Sequence, residues 1–309
     1  MGNTVGNALA NKLESSSKHN FLAIFGLLFG AMCWGVIWYP YRIMNDAGVS
    51  GIASSFYTYC IAIILGAAIF AKHWRGILDL PKSAIWLSII AGWTNLSYVL
   101  AVIDGEVMRV MLLFYLSPLW TLLLARFWLK EIITRAGLVS ILIAMTGAYI
   151  MLANPFDSAA QHLPIPQNNA EWLALSAGIG FSFTNVITRK STHLSLAAKS
   201  MLIWVGVAGM SLLLIPFLAD SFPSPKLFTL NHWVIMTFIA IMIMAATIFV
   251  QYGVTKMTAL RASVLFLFEL VVAAIAAYYL ANEAMMLNEW VGGGFIIAAG
   301  LLAAFNHHD

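Results

Sequence analysis

The chain has 309 residues, of which 61% are hydrophobic and only 9% are charged. A soluble domain carries about 25% charged residues, so this composition excludes a soluble enzyme and indicates a membrane-embedded chain. The net charge of +3 gives no basis for nucleic-acid binding, and Cys33 and Cys60 lack the spacing of a metal or redox motif. We therefore expect no cofactor and no metal.

Apolar windows of about 20 residues, the length that a helix needs to cross a bilayer, predict ten spans. They run approximately over 21–40, 52–71, 84–103, 107–125, 134–153, 170–188, 197–218, 232–252, 262–280 and 289–306. The polar residues 1–20 have no signal-peptide pattern and predict a disordered cytoplasmic tail. The predicted fold class is therefore an all-α integral membrane protein.

The ten spans fall into two halves of five, over 21–153 and 170–306. The segment 154–169 between them contains three prolines and polar residues, which predicts an extracytoplasmic linker.

The two halves also resemble each other in sequence. Met108–Phe114 lines up with Leu260–Phe266 at an offset of 152 residues (261 − 109 = 152), and the same offset places Glu131 on Glu283. Because each half has an odd number of spans, the repeats must be inverted in the membrane. Inverted repeats are the usual architecture of secondary transporters, with the substrate site near the midplane.

The distribution of basic residues predicts the orientation. With the N-terminus inside, only three of the 16 Lys and Arg residues, Arg42, Arg109 and Lys226, lie on the outer side. The other thirteen lie on the cytoplasmic side: Lys12, Lys18, Lys72, Arg75, Lys82, Arg126, Lys130, Arg135, Arg189, Lys190, Lys199, Lys256 and Arg261. The positive-inside rule therefore predicts that both termini are cytoplasmic.

Two stretches resemble the signatures of the drug/metabolite transporter superfamily, and more narrowly of its EamA-type carriers. The first is Tyr115-Leu116-Ser117-Pro118-Leu119-Trp120, followed by Lys130-Glu131. The second runs from Tyr252 through Arg261 to Glu269 and Glu283, with Glu269-Leu270 where the family usually has Glu-Pro. The resemblance implies ten transmembrane helices in two inverted five-helix repeats and a location in the bacterial inner membrane. It does not imply one substrate, because the family carries amino acids, metabolites, nucleosides and drugs.

Glu269 is the one ionisable side chain near the middle of the predicted span 262–280. A lone carboxylate at that depth costs about 2.5–3.5 kcal/mol on insertion scales, so it should face the protein interior or a wet cavity. Its repeat mate is the neutral Ser117. Two interpretations stay open. Glu269 either exchanges protons or balances an amine in a central cavity, or it is a protonated acid that hydrogen-bonds a neighbouring helix.

Other polar and aromatic residues could line the same cavity. Asn95 should point inward because an unpaired polar group in lipid is costly, and its repeat mate is Thr247. Trp34 lies deep enough in span one to stack on an aromatic or cationic solute. The predicted site residues are Trp34, Trp93, Asn95, Tyr98, Tyr115, Ser117, Asn185, Gln251, Tyr252, Phe266 and Glu269. The alternative for the polar members is interhelical hydrogen bonding, worth about 0.6 kcal/mol on average.

Two further features concern the helices themselves. Pro118 lies in the middle of span four, removes a backbone hydrogen bond there and predicts a kink. Arg109 and Arg261, at the ends of spans four and nine, are expected to snorkel to the membrane interface, with a substrate-gating role as the alternative.

These patterns predict a secondary carrier of small organic solutes that works by alternating access. The family resemblance makes export of amino acids or related metabolites the leading hypothesis, and the aromatic residues favour aromatic or amphipathic solutes. The expected partners are the solute, the bilayer and a proton, without nucleic acid; a homodimer is left open. The alternative is an intramembrane enzyme or lipid-handling protein with Glu269 as acid or base, for which no second catalytic group is visible.

Overall fold

The computed structural model describes residues 2–71, 82–104, 107–153, 166–218, 224–280 and 286–305. Every regular element in these ranges is helical. The α-helices are α1 (Gly2–Asp46), α2 (Gly51–Ile69), α3 (Lys82–Asp104), α4 (Val107–Phe114), α5 (Ser117–Leu124), α6 (Arg135–Ala153), α7 (Asn169–Lys190), α8 (Leu196–Leu218), α9 (Leu230–Lys256), α10 (Ala259–Phe266), α11 (Phe268–Leu280) and α12 (Leu287–Phe305). A π-helical turn over Ala125–Leu129 follows α5, and a 3-10 turn over Pro225–Leu227 precedes α9. Glu283 and most of the predicted linker, 154–165, lie outside the described residues.

Six helical segments in the described part are long and apolar enough to cross a membrane. They are Asn20–Asp46, Gly51–Ile69, Ala84–Ala101, Leu196–Phe217, Leu230–Lys256 and Ala259–Leu280. Two shorter apolar helices cover Arg135–Ile150 and Trp290–Ala303. The all-helical part of the predicted fold class is therefore confirmed.

The first helix is longer than the sequence predicts. α1 begins at Gly2, in the region for which the composition predicts a disordered tail. Residues 2–19 contain no proline, and lengthening an existing helix avoids the unfavourable nucleation step. These two conditions account for a helix that extends ahead of the apolar part of α1.

The predicted spans four and nine are each divided into two helices. α4 ends at Phe114 and α5 begins at Ser117, where Pro118 in the first turn removes a backbone donor. α10 ends at Phe266 and α11 begins at Phe268, although no proline is present there. α4 and α10 correspond at both ends at the offset of 152 (259 − 107 and 266 − 114). The internal repeat seen in the sequence is thus also present in the backbone.

The two repeats pack against each other in a reciprocal way. The first helix of the first repeat, α1, packs on α9 and α11 of the second repeat. The first helix of the second repeat, α7, packs on the equivalent helices of the first, α3 and the α4–α5 pair. The helices α2 and α8 contact each other, as do α6 and α12. Each of these helix pairs therefore joins one repeat to the other.

The backbones of the two repeats approach closely at Gly206 of α8. A Cβ atom on Gly206 would overlap the carbonyl oxygen of Ser88 in α3, and one on Gly92 of α3 would overlap the carbonyl of Gly206. The Ser88 hydroxyl donates to the Leu202 carbonyl at 2.7 Å. Small residues allow such contact between membrane helices, where packing replaces the hydrophobic effect as the driving force.

We expect Gly206→Ala to destabilise the protein by about 1–3 kcal/mol, because the added methyl group forces α8 away from α3. Thermal unfolding in detergent measures this loss. Gly209→Ala is the matched control on the same helix, since a Cβ there would meet no atom within 4 Å. Equal destabilisation by the two substitutions would show that the α3–α8 contact is unimportant.

Candidate functional site

Glu269 lies directly after the break between α10 and α11. It occupies the first turn of α11, where a carboxylate interacts favourably with the helix dipole. Its side chain is half-buried, and the Tyr115 side chain, at the break between α4 and α5, interacts with it. Within the described ranges no Lys or Arg is paired with this carboxylate. The two breaks are therefore connected through one acid and one phenol.

Aromatic rings surround this pair. Tyr98 of α3 lies 4.9 Å from Phe114 between ring centroids, and Phe114 lies 5.6 Å from Phe181 of α7. Phe181 in turn lies 5.3 Å from Phe266, the repeat mate of Phe114. We call this group the break cluster; its members are Tyr98, Phe114, Tyr115, Phe181, Phe266 and Glu269. It combines an apolar aromatic surface with a single carboxylate.

The first helix of each repeat supports the break in the other repeat. Gly35 of α1 packs so closely that a Cβ there would lie 2.9 Å from the Glu269 carbonyl oxygen. The Ser182 hydroxyl of α7 donates to the Ser117 carbonyl at 2.8 Å. The first helical turn after each break is therefore in contact with the opposite repeat.

Asn95 and Thr247 lie in a second group of residues. The Asn95 side-chain amide donates to the Tyr59 hydroxyl at 3.2 Å, and the Trp204 indole donates to the Thr247 hydroxyl at 3.3 Å. Tyr59 and Trp204 belong to one apolar cluster, against which Trp34 packs. The two repeat mates are thus each bonded to an aromatic residue of a neighbouring helix, as the interhelical alternative predicts.

Two further predicted residues are deeply buried amides with unused hydrogen-bonding atoms. Asn185 of α7 and Gln251 of α9 are each 3% exposed. The Asn185 Nδ2 and Gln251 Oε1 atoms have no hydrogen-bond partner in the described part of the chain. Such buried groups cost about 1–3 kcal/mol each unless water or a ligand satisfies them.

The structure thus divides the predicted site residues among several places. Tyr98, Tyr115, Phe266 and Glu269 meet in the break cluster. The Ser117 carbonyl is bonded to Ser182, the residue that follows Phe181 of this cluster. Trp34 and Asn95 belong to the second group. The remaining four are placed in neither: Trp93, Asn185, Gln251 and Tyr252. Their assignment to one substrate site stays a prediction.

Sequence reasoning missed a buried lysine. Lys199 lies in the first turns of α8 and is 1% exposed, although the sequence places it among the cytoplasmic charges. Its ammonium donates to the Thr188 carbonyl and to the Thr255 hydroxyl, each at 2.9 Å. A cation near a helix N-terminus is unfavourable to the dipole. A lysine near the start of an otherwise apolar helix was therefore the sequence signal that Lys199 has a structural role.

A cross-repeat contact lies beside Lys199. Arg189, at the end of α7, donates to the Thr255 carbonyl at 2.6 Å and lies 3.4 Å from Glu131. The other oxygen of Glu131 accepts a hydrogen bond from the Ala259 backbone N–H at 3.1 Å. We call Glu131, Arg189, Lys199, Thr255 and Ala259 the basic-end cluster.

The charges of this cluster match the helix ends that they contact. Thr188 and Thr255 lie in the last turns of α7 and α9, where carbonyls lack helical partners and favour cations. Ala259 begins α10, where free N–H groups favour an anion. The left-handed backbone of Lys130, with φ of 58°, ends the π-helical turn just before Glu131.

The prediction for Arg261 is wrong. It is only 9% exposed instead of reaching the interface. It lines a cavity of about 30 Å³ together with Glu131 and Thr134, near the first turn of α10. The helices of both repeats converge there, so protein surrounds a position that the sequence assigns to a membrane surface. The side chain of Arg109 lies outside the described residues.

We expect Lys199→Met to destabilise the protein by about 1–3 kcal/mol, because the Thr188 carbonyl would lose its partner in a buried place. The midpoint of thermal unfolding in detergent measures the effect. Lys190→Met serves as the control, since Lys190 is exposed and lies 5.1 Å over the Trp128 ring. An unchanged midpoint for Lys199→Met would show that the bonds of its ammonium do not stabilise the fold.

Comparisons with known proteins agree with this architecture. The model of the EamA-like transporter family matches residues 21–153 and 168–305, one match for each repeat. A solved structure described only as the crystal structure of a protein superposes with a TM-score of 0.71, at 17% identity, over 94% of this chain and 97% of that one. At that identity the likeness shows the fold alone. No curated protein matches the sequence.

The two family matches together cover most of the chain, and the helices that they contain are those expected of a multi-pass membrane protein. Members of this family are transporters and not enzymes, which rules out the alternative of an intramembrane enzyme. The chain therefore belongs to the EamA-like transporter family.

Proposed function

We propose that this protein is a secondary active transporter that moves a small organic solute by alternating access. In this proposal ten membrane-crossing segments form two inverted repeats of five. The halves rock about the break cluster at the midplane. The reciprocal pair of broken helices carries the proposal, because discontinuous helices at the interface of two repeats are the usual setting of a transporter site.

The chemistry of the break cluster favours a neutral or cationic solute with an aromatic or apolar part. Four aromatic rings, of Tyr98, Phe114, Phe181 and Phe266, are in contact around the Tyr115–Glu269 pair. In the described part of the chain this pair contains no cation that would balance an anionic solute. Amino acids and related metabolites are therefore the leading candidates, and export is the proposed direction.

Glu269 is the proposed site of proton exchange. It is half-buried and faces a phenol instead of a cation, so it is able to exist with or without its proton during a cycle. The ionisable side chains that interact with Glu269 are Tyr115 and Tyr98. A solute amine would take the place of the proton as the partner of the carboxylate.

The proposed orientation places the basic-end cluster and both termini in the cytoplasm, as the distribution of Lys and Arg predicts. The proposed location is the bacterial inner membrane.

Reconstituted protein should accelerate the uptake of a radiolabelled amino acid or amine into proteoliposomes at least several-fold over empty liposomes. A panel of aromatic amino acids, other amino acids, nucleosides and polyamines identifies the solute. Flux of anionic metabolites in preference to these would contradict the proposed solute class. Absence of flux for the whole panel would contradict the carrier itself.

Glu269→Gln should remove the response of flux to an imposed pH gradient, because an amide neither binds nor releases a proton in this range. Flux measured with and without the gradient gives the result. The control is Glu171→Gln, which alters a buried acid that accepts a hydrogen bond from the Gln167 backbone at the start of α7. If Glu269→Gln lowers the folded yield but keeps the pH response, the acid has a structural role.

A further inference from the structure

Only one member of the basic-end cluster, the Glu131 carboxylate, comes from the first repeat. Glu131 follows the π-helical turn after α5, whereas Arg189 and Ala259 belong to the second repeat. Lys199 and Thr255, in contrast, form bonds inside the second repeat. Within this cluster, the bonds of Glu131 are therefore the ones that must break when the repeats move apart.

The start of α10 depends on Glu131. The N–H of Ala259, the first residue of α10, donates to the Glu131 carboxylate. The Glu131 and Arg189 side chains are 17% and 30% exposed, so solvent screens their pairing only in part. One carboxylate thus holds the cation at the end of α7 and the first N–H of α10 at the same time.

We propose that Glu131 is a positioning residue of the transport cycle, which holds the basic end of the carrier closed. This proposal rests on the alternating-access function proposed above. With both contacts made, the ends of α7, α9 and α10 are tied to the first repeat. Release of Glu131 frees the second repeat to move away and opens a path from the basic end toward the break cluster.

Thr188 provides a reporter of this opening. It precedes Arg189 in α7 and is fully buried, and its hydroxyl has no partner in the described ranges. Thr188→Cys therefore changes little in the closed state. With Cys33 and Cys60 replaced by alanine, the introduced cysteine is the single thiol of the full-length chain. The rate of its labelling by a bulky, charged maleimide in detergent then measures how often the basic end opens.

We expect Glu131→Gln to raise the labelling rate at least ten-fold, because the ion pair to Arg189 is lost. Arg189→Gln removes the other member of the same ion pair and should raise the labelling rate by a similar factor. If Glu131→Gln does not fold, the labelling rate of Arg189→Gln tests the proposal. Glu171→Gln, at the other end of α7, should leave the rate within two-fold. The proposal would be overturned if a folded Glu131→Gln or Arg189→Gln variant were labelled at the rate of the parent protein. It would also be overturned if Glu171→Gln raised the labelling rate equally.

This labelling needs no solute, so its outcome is separate from that of the flux assay. Unchanged labelling together with normal flux would refute the role of Glu131 and leave the carrier intact. Increased labelling without flux for any tested solute would establish an opening motion and refute the carrier.

Discussion

The helix ends inside this bundle must have their backbone groups satisfied by protein, because lipid offers no hydrogen bonds. At the basic end, side chains of matching charge do this: Lys199 for α7, Arg189 for α9 and Glu131 for α10. Each cation contacts carbonyls and the carboxylate contacts an N–H, as the helix dipole requires. This constraint ties α7, α8, α9 and α10 together and binds them to the first repeat.

At the middle of the bundle, the helix that follows each break meets the opposite repeat through uncharged contacts. There the broken helices are covered by neutral groups and close packing, through Ser182 on the Ser117 carbonyl and Gly35 on the Glu269 carbonyl. No cation of the described part is paired with Glu269, which interacts with Tyr115 instead. At the basic end, the partial charges of the helix ends are therefore balanced by side chains of opposite charge. The middle of the bundle instead keeps an acid without a paired cation among aromatic rings. That difference separates a structural cluster from a candidate site.

Much of the architecture was predictable because it depends on local composition. Apolar stretches mark the membrane helices, the offset of 152 reveals the repeat, and Pro118 indicates the break in span four. The break at Leu267 was not predicted, since no proline marks it and the residues around it are apolar. Its position follows from symmetry with the first repeat and from the approach of α1 at Gly35. The burial of Lys199 was missed for a similar reason, because a charge at the end of an apolar run resembles a loop residue.

The sequence by itself determined the membrane class, the repeat, the family resemblance and Glu269 as the acid within span nine. These properties depend on hydrophobicity and on spacing along one chain. Only the tertiary structure decided which side chains meet. It joined Tyr115 to Glu269, separated Asn95 and Trp34 from them, and buried Lys199 and Arg261. The physical reason is that contacts between the two repeats join residues far apart in the sequence, 58 positions for Glu131 and Arg189 and 128 for Glu131 and Ala259. Helical periodicity within one span carries no information about its partner.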